Sequence, residues 1–458
     1  MKIVLLSGGS GKRLWPLSND SRSKQFLKVL RNTNGTESMV QRVWRQIESV
    51  GLSQSTIIAT SKSQVDMIQS QLNNKASLII EPYRRDTFPA IALAASYIYS
   101  VKKAKLDEVV SVLPVDPYVN KDFFDRVNDL EYVLNESNSD IALIGVKPTY
   151  PSSKYGYIVP KKEESASKYI TVSRFTEKPS EVVAENLIKN GALWNCGVFA
   201  FKLKYIIEIL EEKGLPVNYD DLLEQYDKLP KISFDYEVVE KAKNIITLPY
   251  SGFWKDLGTW NTLTEEMGTS QIGKGVISND STNAHLINEL DIPVTVLGVS
   301  NIVVAASPDG ILVADKESSP RIKEIVGDFD NRPMYEERRW GWYRVLDYTK
   351  FDQGNEILTK RIGIYKGKNL SYQFHTMRSE VWTIIKGEGI FAHNGKLKVV
   401  QQGDVLQINK GDHHAIKAIS DLEIIEIQDG SELIEEDVVR ILNNWNEIEE
   451  ECYQVNKL

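Results

Sequence analysis

The sequence predicts a multidomain α/β protein: a mostly parallel sheet under helices in the first half, a small β-rich connector, and a second β domain of barrel or jelly-roll type. Three observations carry this. The chain has 458 residues, too many for one ordinary core, and 42% are apolar, enough to bury several cores. From Met1 to about Glu266, short apolar runs alternate with helical patterns, about 30 residues per strand-helix unit. From Trp340 to about Ile427, turn signals recur between short apolar runs without a long helical pattern.

The first region reads in order as IVLL, MVQRVWRQI, STIIAT, VDMIQSQL, SLIIE, AIALAASYIYSV and VVSVLPVD. Ligands on sheets of this kind bind at the C-terminal ends of the strands. From Gly273 to about Val326 the runs IPVTVLGV, NIVVAAS and GILVADK are separated by turns. This suggests a small β connecting domain, with a short solenoid as one reading. After the linker GDFDNRPMYEERR, turns at GKN, KGEG, HNGK, QQGD, NKGD and SDLE punctuate the last β region, and the tail from Ser431 to Glu450 reads as a helix. The expected domains are therefore 1–266, 267–334 and 335–458.

A formal net charge of −8 argues against a protein that coats nucleic acid. Any anionic ligand must be held in a local pocket. Two cysteines, Cys196 and Cys452, supply neither a disulfide framework nor a zinc cluster built on paired cysteines. The opening MKIVLLS is too short an apolar run for a signal peptide or a membrane span, so a cytoplasmic protein without a membrane partner is expected.

The strand IVLLS runs directly into GGSGKR. Glycines let a backbone approach a ligand closely while successive N–H groups point at phosphate oxygens, and Lys12 and Arg13 add positive charge. Taken alone, the string is as consistent with a tight turn as with a phosphate cradle, because it matches neither GxGxxG nor GxxxxGK[ST].

The longer string GGSGKRLWPLS, followed by SKQFL at Ser23 to Leu27, resembles the sugar-nucleotide pyrophosphorylases, most closely the mannose-1-phosphate guanylyltransferases. The resemblance implies a Rossmann-like nucleotidyltransferase domain with a mixed, mostly parallel sheet. It also implies that Gly8, Gly9, Gly11, Lys12 and Arg13 hold a nucleoside triphosphate and that Lys24 lies near its phosphates. EPYRRDTFPAIALAA is similar to the family's EP, GRNTAPA and ALAA strings, but Arg85 and Asp86 depart from it where the base and nucleotide are contacted. The base therefore stays open between guanine and others.

By the same resemblance, Asp116 in SVLPVDPYV and Asp256 in FWKDLGTW hold Mg²⁺, which suits a pair of carboxylates. Gly156 in YGYI, Glu177 in FTEKPS and Asn195 in WNCGVFAF face the sugar, Lys178 its phosphate, and Asp235 in SFDY supports the pocket. Cys196 stands where many relatives have serine and reads as a small buried residue, since no histidine lies nearby to activate it. The implied reaction joins GTP and mannose 1-phosphate into GDP-mannose and pyrophosphate, with Arg13, Lys24 and Lys178 as the catalytic cations. Another base or another sugar 1-phosphate remains the alternative.

RRWGWYRVLD, QFHTMRSEVWTIIKGEG and GDVLQINKGDHHAI resemble the cupin domain of type II phosphomannose isomerases, often fused to a guanylyltransferase. His375, Glu380 and His414 align with three of the metal ligands of that domain, but Met377 replaces the fourth. A thioether is a poor ligand for a borderline or hard metal. The expectation is that the isomerase site is lost, with His375 a satisfied interior histidine and His413–His414 a polar turn. A bifunctional enzyme is the alternative, and homodimer contacts are expected at the jelly roll or connector.

Overall fold

The computed structural model describes residues 1–458 except Ser10, Asp20, Asn34, 162–167, Asp328, Asp330, Asn331, Gln353, Glu435, Glu436 and 456–458. The chain forms two compact units. One comprises Met1–Ser270 with Asn301–Val303 and Ala314–Ile325; the other comprises Gln271–Ser300, Val304–Val313 and Val326–Leu458.

The first unit is built on a sheet that is nine-stranded among the described residues. Its strands are β1 (Lys2–Ser7), β2 (Thr56–Ser61), β3 (Ser77–Glu81), β4 (Val109–Pro114), β5 (Ile141–Val146), β6 (Tyr157–Pro160), β7 (Ile170–Thr176), β8 (Leu193–Lys202) and β9 (Ile245–Tyr250). They lie in the order β3-β2-β1-β4-β8-β5-β9-β7-β6. The segments Ile3–Leu5 and Val109–Leu113 are buried on both faces, which is why they read as unbroken apolar runs rather than alternating ones. One apolar cluster gathers Phe88, Ile91, Phe199, Phe201 and Phe234; a second gathers Phe26, Trp44, Phe123, Phe124 and Tyr250. The helix Met39–Ser49 starts on a capping box, with the Ser38 hydroxyl accepting from the Gln41 N–H and the Gln41 side chain accepting from the Ser38 N–H.

The sheet is mixed in one respect that matters for function. Strand β8 runs antiparallel to its partners β4, β5 and β6, and β7 runs antiparallel to β9 and β6. Reversal of β8 brings its first residues, Trp194 and Asn195, to the edge where β4 and β5 end. Its pairing with β5 is irregular between Asn195 and Phe199, and Gly197 there takes a φ of +76° that favours glycine.

In the second unit, Gln271–Ile272 pairs in parallel with His285–Asn288, and Gly275–Ile277 with Val294–Val296, as successive coils stack. Beyond them, two antiparallel sheets, of six and five strands among the described residues, form the jelly-roll-like body. Trp382, Leu358, Ile416, Leu422 and Ile424 are part of its core.

The tail differs from the expected helix over Ser431–Glu450. Val438–Leu442 is a strand pairing with Tyr372–His375, and the helix is Trp445–Val455. The β-branched run VVRI favours a strand beside an available sheet edge, whereas Trp445, Ile448 and Cys452 follow helical spacing and pack on Tyr372, Ala392 and Ala415. Among the described residues, no helix is long and apolar enough to cross a membrane.

Candidate active site

Strand β1 ends at Ser7 and opens into Gly8 and Gly9, both exposed, at the C-terminal edge of the sheet; Ser10 lies outside the described residues. Side chains hold this loop from below. Ser23 Oγ donates to the Gly9 carbonyl at 2.7 Å, Gln64 Nε2 donates to Ser23 Oγ at 2.8 Å, and the Ser18 hydroxyl donates to the Gly11 carbonyl. A Cβ on Gly11 would stand 2.7 Å from the Ser23 backbone, so only glycine fits there.

The second short turn after the loop, Lys24–Phe26, is anchored by the buried Phe26 and Gln25 and sends Lys24 towards two carboxylates. Lys24 Nζ is 2.7 Å from Asp116 Oδ2 and 3.2 Å from Asp256 Oδ1. Burial pulls the Lys24 pKa down, but the two carboxylates more than offset it, so the ammonium is held charged.

Asp116 and Asp256 meet because of an antiparallel ribbon. Pro117–Val119 pairs with Trp254–Asp256, placing Asp256 opposite Pro117. A side chain at Gly258 would stand 2.9 Å from the Asp256 carboxylate. Two aspartate oxygens converging on a single cation are an oxygen-only donor set, and this set fits a hard divalent metal.

A cleft of about 250 Å³ extends from the aspartate pair and is lined by Tyr155, Gly156, Glu177, Lys178, Asn195 and Asp235 among others. A Cβ on Gly156 would lie 2.5 Å from Glu177 Oε2, so the glycine makes room for the carboxylate. Glu177 Oε1 pairs with Lys178 Nζ at 2.9 Å, while the buried Oε2 has no hydrogen-bond partner among the described residues. Lys178 sits at a φ of +43° in its turn. Burial lowers its pKa, but Glu177 and Asp235 carry the net shift upward.

Asn195 bridges the cleft wall: its N–H donates to the Gly156 carbonyl at 2.8 Å and its Nδ2 to Asp235 Oδ1 at 2.7 Å. Burial, with Glu177 close by, pushes the Asp235 carboxyl up to about 7. Cys196 also lines the cleft; burial pushes its thiol up to about 12, which suits a packing residue and not a nucleophile.

A smaller cavity of about 60 Å³ joins Gly8, Gly9 and Gln25 to Lys24 and Asp116. The glycine loop and the aspartate pair thus share Lys24. Arg13 is exposed on the loop, and its charge reaches the Tyr155 hydroxyl. Lys12 begins the turn Lys12–Leu14 and lines neither cavity.

Arg85 and Asp86 are engaged elsewhere. The Arg85 guanidinium donates to the carbonyls of Leu229, at 3.0 Å, and Asp227, while Asp86 caps the helix Thr87–Ser96 by accepting from the Thr87 N–H at 2.8 Å. Neither lines the cleft.

Sequence reasoning missed the aromatic wall. Tyr155 packs on Trp254 and Trp194, with ring centroids 5.6 and 4.8 Å apart, and Trp194 packs on Tyr150. The signal was present as aromatic residues beside Gly156 and Asp256, but their convergence depends on β8 and the ribbon.

Residues 2–271 match the family described as Nucleotidyl transferase. The chain belongs to the nucleotidyl transferase family. Residues 331–443 of this nucleotidyltransferase match a second description, Mannose-6-phosphate isomerase C-terminal. The chain is 31% identical to a putative mannose-1-phosphate guanylyltransferase of Vibrio cholerae, covering 95% of this chain and 98% of the relative. It is 29% identical to the alginate biosynthesis protein AlgA of Pseudomonas aeruginosa, over 99% and 98% of the two chains. Among solved structures, a mannose-1-phosphate geranyltransferase from Thermus thermophilus is 28% identical with a TM-score of 0.58, covering 72% of this chain and all (100%) of that one.

The nucleotidyltransferase carries a second cluster in its jelly-roll unit. His375, Glu380 and His414 are buried, and each offers a ligand atom within 4.8 Å of the others. His375 Nε2 is 3.1 Å from Glu380 Oε1, and His414 Nε2 is 3.7 Å from Oε2. Both Nδ1 atoms face backbone carbonyls, of Asp437 and Asp412 at 3.4 and 2.9 Å. Neither Nε2 makes a hydrogen bond among the described residues, so His375 is not the satisfied interior histidine expected, and His414, buried at the start of the strand His414–Ala418, is not the polar-turn residue expected. The reason is geometric: strands Tyr372–His375, Arg378–Lys386 and His414–Ala418 aim all three side chains at one interior point regardless of residue 377. His413 directly precedes the strand His414–Ala418 and stacks on Phe374.

Proposed function

We propose that the enzyme joins GTP and mannose 1-phosphate, forming GDP-mannose and releasing pyrophosphate. The observation that carries this reading is the convergence of Lys24, Asp116 and Asp256 on one edge of the cleft that Glu177, Lys178 and Asn195 line. A sugar-phosphate oxygen attacks the α-phosphorus in line, so no covalent enzyme intermediate is needed.

The obstacle is like charge. At 4 Å, each pair of unit charges repels by about 4 kcal/mol at an effective dielectric of 20. Catalysis therefore consists mainly of neutralisation and alignment. The Gly8–Gly9 amides, Arg13 and Lys24 attend the triphosphate, and Lys178 holds the sugar phosphate. Glu177 Oε2, buried without a hydrogen-bond partner among the described residues, accepts from a sugar hydroxyl, and Asn195 is held in place by Asp235. Asp116 and Asp256 would hold Mg²⁺, which supplies charge neutralisation at the phosphates.

A matrix of the common nucleoside triphosphates against several sugar 1-phosphates, read by pyrophosphate release, tests the proposal. GTP with mannose 1-phosphate is expected to give the highest kcat/KM. A clear preference for another pair, or no release with any, contradicts it.

One observation favours a second activity. The convergent His375, Glu380 and His414 donors suit a divalent metal in the jelly roll despite Met377. Conversion of mannose 6-phosphate to fructose 6-phosphate by the full chain, lost in His414→Ala, supports a bifunctional enzyme; no conversion excludes it.

A further inference from the structure

The geometry points to Lys24 as a built-in counter-ion that keeps the Asp116–Asp256 pair closed to divalent metal until a nucleoside triphosphate draws its ammonium away. The inference rests on the reading of these aspartates as metal ligands and adds an order to their filling.

One nitrogen occupies the place both carboxylates face: Lys24 Nζ lies 2.7 Å from Asp116 Oδ2 and 3.2 Å from Asp256 Oδ1. The three side chains are only 22%, 25% and 34% exposed, so the cluster is largely shielded from water. A divalent ion entering here meets an occupant and a field already reduced by one positive charge. Expelling the ammonium without a new anion would leave a largely shielded cation unpaired, which is costly.

The triphosphate removes that cost. Lys24 borders both the aspartate pair and the small cavity under Gly8 and Gly9, where the proposed cradle holds phosphate. Its backbone cannot follow the ligand, because Gln25 Nε2 is bonded to Ser7 Oγ and Gln64 Oε1, each at 3.2 Å, and Phe26 is buried. The flexible four-carbon stem is therefore the moving part. When phosphate takes the ammonium, both carboxylates are released together. Linkage makes the effect reciprocal: nucleotide favours metal and metal favours nucleotide by the same factor.

The test is a nucleotide-free Mn²⁺ titration of the full chain, read from the electron paramagnetic resonance signal of free Mn²⁺. Wild type, Lys24→Met, Lys24→Gln and Lys24→Arg are compared, with Asp116→Asn defining binding at any other site. Asp116-dependent binding is expected to be weak in wild type and Lys24→Arg and at least about tenfold tighter in the two neutral variants. Equal affinity in wild type and the neutral variants, with Asp116→Asn still weaker, overturns the counter-ion role and leaves the metal reading standing. Loss of any Asp116-dependent site from every variant overturns both.

Should the neutral variants fail to fold, wild type supplies the readout. Acetylation of Lys24, followed by mass spectrometry, rises as Mn²⁺ displaces the ammonium; reactivity unchanged at saturating Mn²⁺ overturns the proposal.

Discussion

Asn195 Nδ2 donates to Asp235 Oδ1 across 2.7 Å, tying the reversed strand β8 to the helical turn Asp235–Val239. That bond fixes one wall of the cleft and buries a carboxyl beside Glu177, with a measurable consequence for pH.

Burial raises the Asp235 carboxyl to about 7 in the folded protein, against about 3.9 when unfolded. Between these values the native state binds more protons than the unfolded state, so this group's stabilising contribution falls as pH rises from about 4 to 7 and is flat above. The full effect is at most about 4 kcal/mol. Denaturant unfolding of wild type and Asp235→Asn across that window is expected to show a smaller loss with rising pH in the variant, whose amide oxygen still accepts from Asn195. Parallel curves contradict the assignment.

Gly156→Ala places a methyl group 2.5 Å from Glu177 Oε2 and 2.7 Å from Phe175 Cζ. Overpacking of this kind costs about 1–3 kcal/mol. Displacement of Glu177 should raise KM for the sugar phosphate by at least about tenfold, with a smaller change for the triphosphate, as initial-rate kinetics will show.

Cys196 is buried, with its thiol pushed up to about 12 by burial and its Sγ 3.3 Å from the Ile144 carbonyl. Iodoacetamide at neutral pH is expected to leave it unlabelled in the native protein and to label it after denaturation, as read by peptide mass spectrometry. Cys196→Ser should keep turnover within a few-fold.

These predictions draw on residues that were unequally legible in the sequence. The run IVLLS into GGSGKR and the apolar strand before Asp116 announce a parallel sheet with a ligand loop, because strands buried on both faces read as continuous apolar runs. The direction of β8 was not legible: an antiparallel strand between two parallel ones has the same composition. For the same reason the aromatic wall and the Asp116–Asp256 meeting, made by a three-residue ribbon, depend on pairing rather than on local pattern. Arg85 and Asp86 sit in a family string, yet nothing local reveals the carbonyls and helix cap that engage them. In the tail, acidic residues after Ser431 imitate a helix start, and the sheet edge beside Tyr372–His375 decides otherwise.

In the jelly roll, Glu380 is buried and accepts from Arg378 Nε at 2.9 Å and Trp382 Nε1 at 3.0 Å. Burial alone would raise its pKa, but His375, His414 and Arg378 hold it well below the usual carboxylate range. Glu380→Ala leaves the Arg378 guanidinium without this partner. Breaking a buried pair in this way costs about 3–5 kcal/mol, which calorimetry of the full chain should register as an earlier transition.

The most direct test of the account is pyrophosphate release from GTP and mannose 1-phosphate by Asp116→Asn and Asp256→Asn beside wild type, with circular dichroism confirming the fold. The account predicts a loss of at least about a hundredfold in kcat/KM for each variant. Near-normal turnover by either folded variant contradicts it.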